Sequence, residues 1–101
     1  MSAKPRDPQA TVGVIIVNWN GLADTLAVLG ELEGIDGPPL RIIVVDNGSS
    51  DDSVEVLRRE APHVEVVETG ENLGFAGGNL VGLRHAFESK DFGWVLLINT
   101  M

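Results

Sequence analysis

Two polar clusters carry the chemistry that this chain can offer. Asn18-Trp19-Asn20-Gly21 and Asp46-Asn47-Gly48-Ser49-Ser50 each follow directly on an apolar run, Val14-Ile15-Ile16-Val17 and Ile42-Ile43-Val44-Val45. Their residue types suit recognition of a small ligand. A carboxylate at Asp46 can accept a hydrogen bond from the imide N–H of a uracil or thymine ring, while backbone N–H groups of the turn through Asn47 and Gly48 face a ribose and its phosphates. Turn formation alone is the other use of Asp46. The indole of Trp19, set between Asn18 and Asn20, can stack on a flat ring, and a packing role is equally open to it. A third stretch, Thr69 to Asn79, holds Gly70, Gly74, Gly77 and Gly78, where a bare backbone can approach a ligand or a neighbouring helix closely. Its spacing does not match a dinucleotide fingerprint, and no phosphate-loop lysine motif occurs.

The remaining polar residues invite plainer readings. Asp51 and Asp52 open a helical pattern, where carboxylates favour the positive end of the helix dipole. His63 and His85 stand apart from each other and from any Ser/Asp pair, so neither is expected to ligate a metal or serve in catalysis. No catalytic residue and no metal ligand is assigned.

The elements that must position these clusters follow from periodicity. Apolar runs without alternation are the habit of strands covered on both faces, as in parallel sheets. They predict strand one over Thr11 to Val17 and strand two over Arg41 to Val45. Leu22, Leu26, Leu29 and Leu32 recur at helical spacing between two glycines and predict helix one over Leu22 to Glu33. The Gly/Pro-rich stretch from Gly34 to Pro39 is a loop. Val54, Leu57 and Ala61 mark helix two, stopped by Pro62. His63 to Glu68 alternates apolar with acidic residues and reads as an edge strand. The glycine-dense loop then passes into helix three, with Leu80, Leu83 and Phe87 on one side. Trp94 to Ile98 reads as a fourth strand of buried type, with Trp94 in the core, ending at Asn99-Thr100-Met101. Strands and helices alternate, so right-handed crossovers predict an α/β fold: a three-layer α/β/α Rossmann-like domain with parallel strand order 3-2-1-4. Ligands bind such sheets at the carboxyl edge, where the strand order reverses.

The totals set bounds. The 101 residues are enough for one domain, with Met1 to Ala10 as a disordered arm and 11–101 as the folded part. At this length about two-thirds of the unfolded chain's surface can be buried. Seven basic against fifteen acidic residues leave a net charge of −8, which argues against nucleic acid or an anionic membrane as partner. The chain has no cysteine, which removes disulfides and thiolate chemistry and fits a cytoplasmic location. Its start lacks the apolar core of a signal peptide, and no apolar run reaches the ~18 residues needed to span a bilayer.

Three ordered segments carry a family resemblance: Val-Ile-Ile-Val-Asn-Trp-Asn-Gly (14–21), Ile-Ile-Val-Val-Asp-Asn-Gly-Ser-Ser-Asp (42–51) and Glu-Asn-Leu-Gly-Phe-Ala-Gly-Gly-Asn (71–79). Together they resemble the amino-terminal half of the family-2 glycosyltransferases of GT-A fold, in their rhamnosyltransferase-like branch. The resemblance implies a partial nucleotide-sugar-binding domain, with a UDP- or dTDP-linked sugar as partner in polysaccharide or cell-wall synthesis by inverting transfer. It implies that Val17 and Trp19 line the base and that Asp46 reads its edge. Asn18, Asn20, Asn47, Gly48 and Gly74 then complete the nucleotide-facing loops, and Asn79 takes a slot where relatives often carry a basic residue. Relatives hold Mg²⁺ or Mn²⁺ on an aspartate just after strand four. Met101 stands at that position, so metal binding is expected to be weak or absent here. The general base of the family comes from a carboxyl-terminal half, so these 101 residues alone are expected to be inactive. A non-catalytic nucleotide-binding or assembly module is the alternative. Strand four, if uncovered, is expected to invite self-association.

Overall fold

The computed structural model describes residues 11–89 and 92–101. The arm expected over Met1 to Ala10 lies outside the described residues. The elements run β1 (Val12–Asn18), α1 (Leu22–Glu33), β2 (Leu40–Asp46), α2 (Ser53–Glu60), β3 (Glu65–Glu68), α3 (Gly74–Phe87) and β4 (Trp94–Asn99). All strand pairs are parallel, in the order β3-β2-β1-β4. The expected architecture is therefore the observed one, with β3 on one sheet edge and β4 on the other.

Alternate residues of the two central strands feed two cores. Val14, Ile16, Ile42 and Val44 pack with Leu29 and Leu32 of α1 and Leu57 of α2. Ile15, Ile43 and Val45 point to the opposite face and pack with Ala86 of α3. Burial on both faces is the reason these runs show no polar alternation. Register pairs Val17 with Val45 and Asn18 with Asp46, so both apolar runs end at one edge and release their polar clusters together.

Three expectations need correction. The segment from Gly74 to Asn79 is helix rather than loop: α3 starts at Gly74, and its buried face is Gly78, Asn79, Gly82 and Ala86. A Cβ at Gly78 would lie 2.8 Å from Val17 Cγ1, and one at Gly82 would lie 2.5 Å from Ile15 Cγ2. Glycine lets α3 sit directly on the sheet, so the other side of the helix, with Leu80 and Phe87, is left exposed. Phe87 instead stacks on Phe92, with ring centroids 5.7 Å apart.

Second, β4 is not a strand buried on both faces. Only Ile98 and Val95 pack against the two cores. Trp94, expected in the core, is 69% exposed, and Leu96 and Leu97 are exposed as well. The cause is position: β4 pairs with β1 alone and forms the sheet edge.

Third, His85 is not isolated. Its Nε2 lies 2.9 Å from Glu65 Oε1. Arg41 grips the same carboxylate in a fork, Nε to Oε2 at 2.7 Å and Nη2 to Oε1 at 2.8 Å, and Nη1 also donates to Ser89 Oγ. The Arg41 guanidinium holds the Glu65 carboxyl down at about 2; burial opposes it as the next largest effect, and the His85 ring adds to the lowering. Arg41 and Glu65 open β2 and β3. This cluster therefore lies at the amino edge of the sheet, away from the polar turns.

Candidate functional site

The turn after β1 is tied to the turn after β2 by asparagine amides. Asn18 is fully buried; its Nδ2 donates to Asp46 Oδ1 at 3.0 Å and to Ser49 Oγ at 3.3 Å. Asn20, in the left-handed region at φ 50°, accepts on Oδ1 from the N–H groups of Ser50 (2.8 Å) and Asp51 (3.1 Å). Asparagine tolerates that backbone conformation better than a branched residue would. Trp19 stands between these two anchors and is 40% exposed, so its indole is held by its neighbours' bonds yet open to solvent.

Asp46 is buried, and its carboxylate serves the protein first. Oδ1 accepts from Asn18 and from Ser49 Oγ at 2.6 Å, and Oδ2 accepts from the Ser49 N–H at 3.0 Å. This is the turn-forming use of Asp46, an Asx arrangement that closes the loop on itself. Gly48 follows at φ 84°, and a Cβ there would lie 2.7 Å from the Glu71 backbone. Only glycine fits a left-handed position pressed against another chain segment.

Asn47 reaches the other way. It is fully buried, and its side-chain Oδ1 accepts from the Leu73 N–H at 3.0 Å and Thr69 Oγ1 at 3.2 Å. Its Nδ2 donates to the Gly74 carbonyl at 2.9 Å and to Asn72 Oδ1 at 3.3 Å. One amide therefore uses both of its ends to fix the start of α3 to the carboxyl end of β2. Asn79 lies behind, 6% exposed, and its Oδ1 is buried with no hydrogen-bond partner among the described residues.

All nine expected site residues thus gather at the carboxyl edge or just beneath it, but they divide into two sets. Trp19, Asn20 and Gly74 are exposed and Gly48 is half-buried. Val17, Asn18, Asp46, Asn47 and Asn79 are buried and hold the others in place. Thr25, which the sequence reading passed over, completes the arrangement with Ser49, Thr69, Asn72 and Thr100, to which it gave no individual role. Thr25 had a signal, since it lies three residues after Leu22 in an otherwise leucine-lined pattern. Its hydroxyl donates to Asn18 Oδ1 at 2.7 Å and meets Thr100 Oγ1 at 2.8 Å.

The donor set does not fit a hard divalent cation. Among the described residues, no three His, Asp or Glu side chains group as a metal site. The Asp46 carboxylate is already engaged by Asn18 and Ser49, and the Met101 thioether has its Sδ 4.0 Å from Asn47 Nδ2. Hard cations take oxygen ligands, carboxylates above all. Among the described residues, no helix is long and apolar enough to cross a membrane.

Comparison with known proteins agrees with this geometry. A model of the family described as glycosyl transferase family 2 matches residues 13–99. The low-salt glycan biosynthesis hexosyltransferase of Haloferax volcanii is 29% identical over 90 residues, which cover 87% of this chain and 27% of that protein. A mannosyltransferase of Pyrobaculum calidifontis, solved in complex with GDP-Man and Mn²⁺, has a TM-score of 0.70 at 29% identity, covering 82% of this chain and 26% of that one. The chain spans about a quarter of the length of each.

Proposed function

The chain belongs to glycosyl transferase family 2, and from that membership we propose that its carboxyl edge holds the nucleoside diphosphate of a sugar donor. These residues are then the donor-binding part of a transferase that passes the sugar to an acceptor hydroxyl. The observation that carries this reading is the convergence of three separate segments on one edge: the turn after β1, the turn after β2 and the start of α3. Asn18, Asn20 and Asn47 fix them to one another. Trp19 offers an exposed ring for the base of a UDP- or dTDP-linked donor, and the exposed start of α3 at Gly74 is the segment left for ribose and phosphate.

Transfer of the inverting kind requires a base that takes the acceptor's proton as its oxygen attacks the anomeric carbon and the diphosphate departs. Asp46 is engaged by Asn18 and Ser49 and is not free for that task. On this reading the chain alone is a binding unit, with the acceptor's base supplied from elsewhere in the transferase. Both relatives named above are sugar transferases, which favours this reading over an assembly module. A cytoplasmic location fits it, since the chain lacks cysteine.

The test is an NMR titration of labelled chain with UDP, dTDP and GDP, with and without Mn²⁺, beside a Trp19→Ala variant. Trp19 is preferred to Asp46 as the probe because its side chain is exposed and removing it leaves the edge bonded. Shifts confined to Trp19, Asp46–Ser49 and Leu73–Gly74 that weaken in the variant support the reading. Silence from the folded chain with all three nucleotides overturns it.

A further inference from the structure

Thr25 is a polar side chain, fully buried, at the first turn of α1 on the side facing the sheet. Its neighbours determine where its proton goes. Asn18 must turn its Nδ2 toward the Asp46 carboxylate, an acceptor only, so Asn18 presents its Oδ1 to Thr25. The single hydroxyl proton of Thr25 is thereby committed to Asn18 Oδ1 at 2.7 Å. The contact between Thr25 Oγ1 and Thr100 Oγ1, at 2.8 Å, must then be donated by Thr100. Thr100 Oγ1 also lies 3.1 Å from the Val17 carbonyl, which the Thr100 N–H reaches at 3.2 Å, so the one Thr100 hydroxyl proton is divided between that carbonyl and Thr25 Oγ1. The result is one directed chain, Thr100 to Thr25 to Asn18 to Asp46.

Its two ends lie on opposite sides of β1. Asp46 closes β2, and Thr100 begins the segment after β4. The contact is close on the backbone side as well, since a Cβ at Gly21 would lie 2.4 Å from the Thr100 carbonyl oxygen. We propose that Thr25 is a positioning residue that locks the segment after β4 to the Asp46 turn, so that a bound nucleotide meets both in one fixed register. The role toward a nucleotide rests on the donor-binding reading above. The lock itself does not.

Thr25→Val keeps the shape and removes the hydroxyl, whereas Thr25→Ser keeps the hydroxyl and removes the methyl. In the nucleotide-free chain, Thr25→Val is expected to shift the amide resonances of Ser49 and of Thr100–Met101 together, and Thr25→Ser to return both to near their original positions. Thr100→Ala cuts the same link from its other end and is expected to move the Asp46–Ser49 amides likewise. A nucleotide that binds the unaltered chain is expected to bind Thr25→Val roughly tenfold more weakly, one lost hydrogen bond in equilibrium terms, and Thr25→Ser nearly as before. Unmoved Thr100–Met101 amides in a folded Thr25→Val, or failure of serine to restore them, overturns the lock. Equal affinity in the valine variant overturns its role toward the nucleotide. If no nucleotide binds the unaltered chain, the donor-binding reading falls and the role toward a nucleotide falls with it, while the nucleotide-free spectra still decide the lock.

Discussion

Asn18 and Asp46, register partners 28 residues apart in the chain, are joined by a buried hydrogen bond of 3.0 Å. The carboxylate that sequence reading aimed at a ligand is therefore first a structural acceptor. Asp46→Asn places an amide opposite the Asn18 amide and loses acceptors for Ser49. It is expected to cost about 1–3 kcal/mol of stability, the scale of a buried polar group left unpaired. Trp19→Ala is expected to leave stability within about 0.5 kcal/mol, as surface changes do, while weakening nucleotide binding. Urea melts of the two variants beside the titrations separate the supporting residue from the contacting one.

The seat of α3 on the sheet gives a second pair of outcomes. Gly82→Ala brings a methyl 2.5 Å from Ile15 Cγ2 and 3.0 Å from Val45 Cγ2, and overpacking of this kind costs about 1–3 kcal/mol. Gly30→Ala, in the middle of α1 with nothing within 4 Å of the new methyl, is expected to stabilise by about 0.4–1 kcal/mol. Thermal melts of opposite sign check both.

At the amino edge, Glu65 has its folded-state pKa depressed from 4.5 to about 2 by Arg41 and His85. A depressed carboxylate contributes stability that is present above its unfolded pKa and lost as pH falls through the folded one. The loss therefore falls between about pH 4.5 and 2. The Glu65 side chain is 39% exposed, so solvent screening keeps the contribution near ~1 kcal/mol or below. Comparing Glu65→Gln with the unaltered chain at pH 7 and at pH 2 reads this directly. The difference in stability is expected to shrink at the lower pH, and a difference that grows there contradicts the assignment.

The outer strand predicts association. β4 has one paired side, carries no charged residue from Trp94 to Asn99, and exposes Trp94, Leu96 and Leu97. Uncharged apolar edges of this kind pair with other chains. We expect light scattering to show concentration-dependent self-association, and Leu96→Lys to return the chain to a monomer. A monomer at high concentration before any substitution removes the prediction.

The sheet was legible because Val14–Val17 and Ile42–Val45 sit between two cores and could not alternate. Trp94–Ile98 has the same composition at a sheet edge, so composition alone could not report its exposure. The glycines before Leu80 misled for a related reason. Local propensity marks them as loop, and the close approach that seats Gly78 on the sheet comes from Val17, far away in sequence. Likewise, the clusters at Asn18 and Asp46 could be found from their place after apolar runs. Which side chains face outward was decided by bonds to Ser49, Thr25 and Thr100, and no spacing rule contains these.

The place of β4 also gives it the costliest closure in the sheet. β1, β2 and β3 join neighbours in sequence through single helical crossovers, whereas β4 must return to β1 across the whole intervening chain, Thr100 reaching Val17 over 83 residues. Contacts between distant positions carry the largest loop-closure cost and slow folding. The link from Thr100 through Thr25 to Asn18 therefore closes only as the last strand docks. Until β4 docks, Thr25 has no Thr100 to meet, and the edge proposed to receive a nucleotide is unfinished.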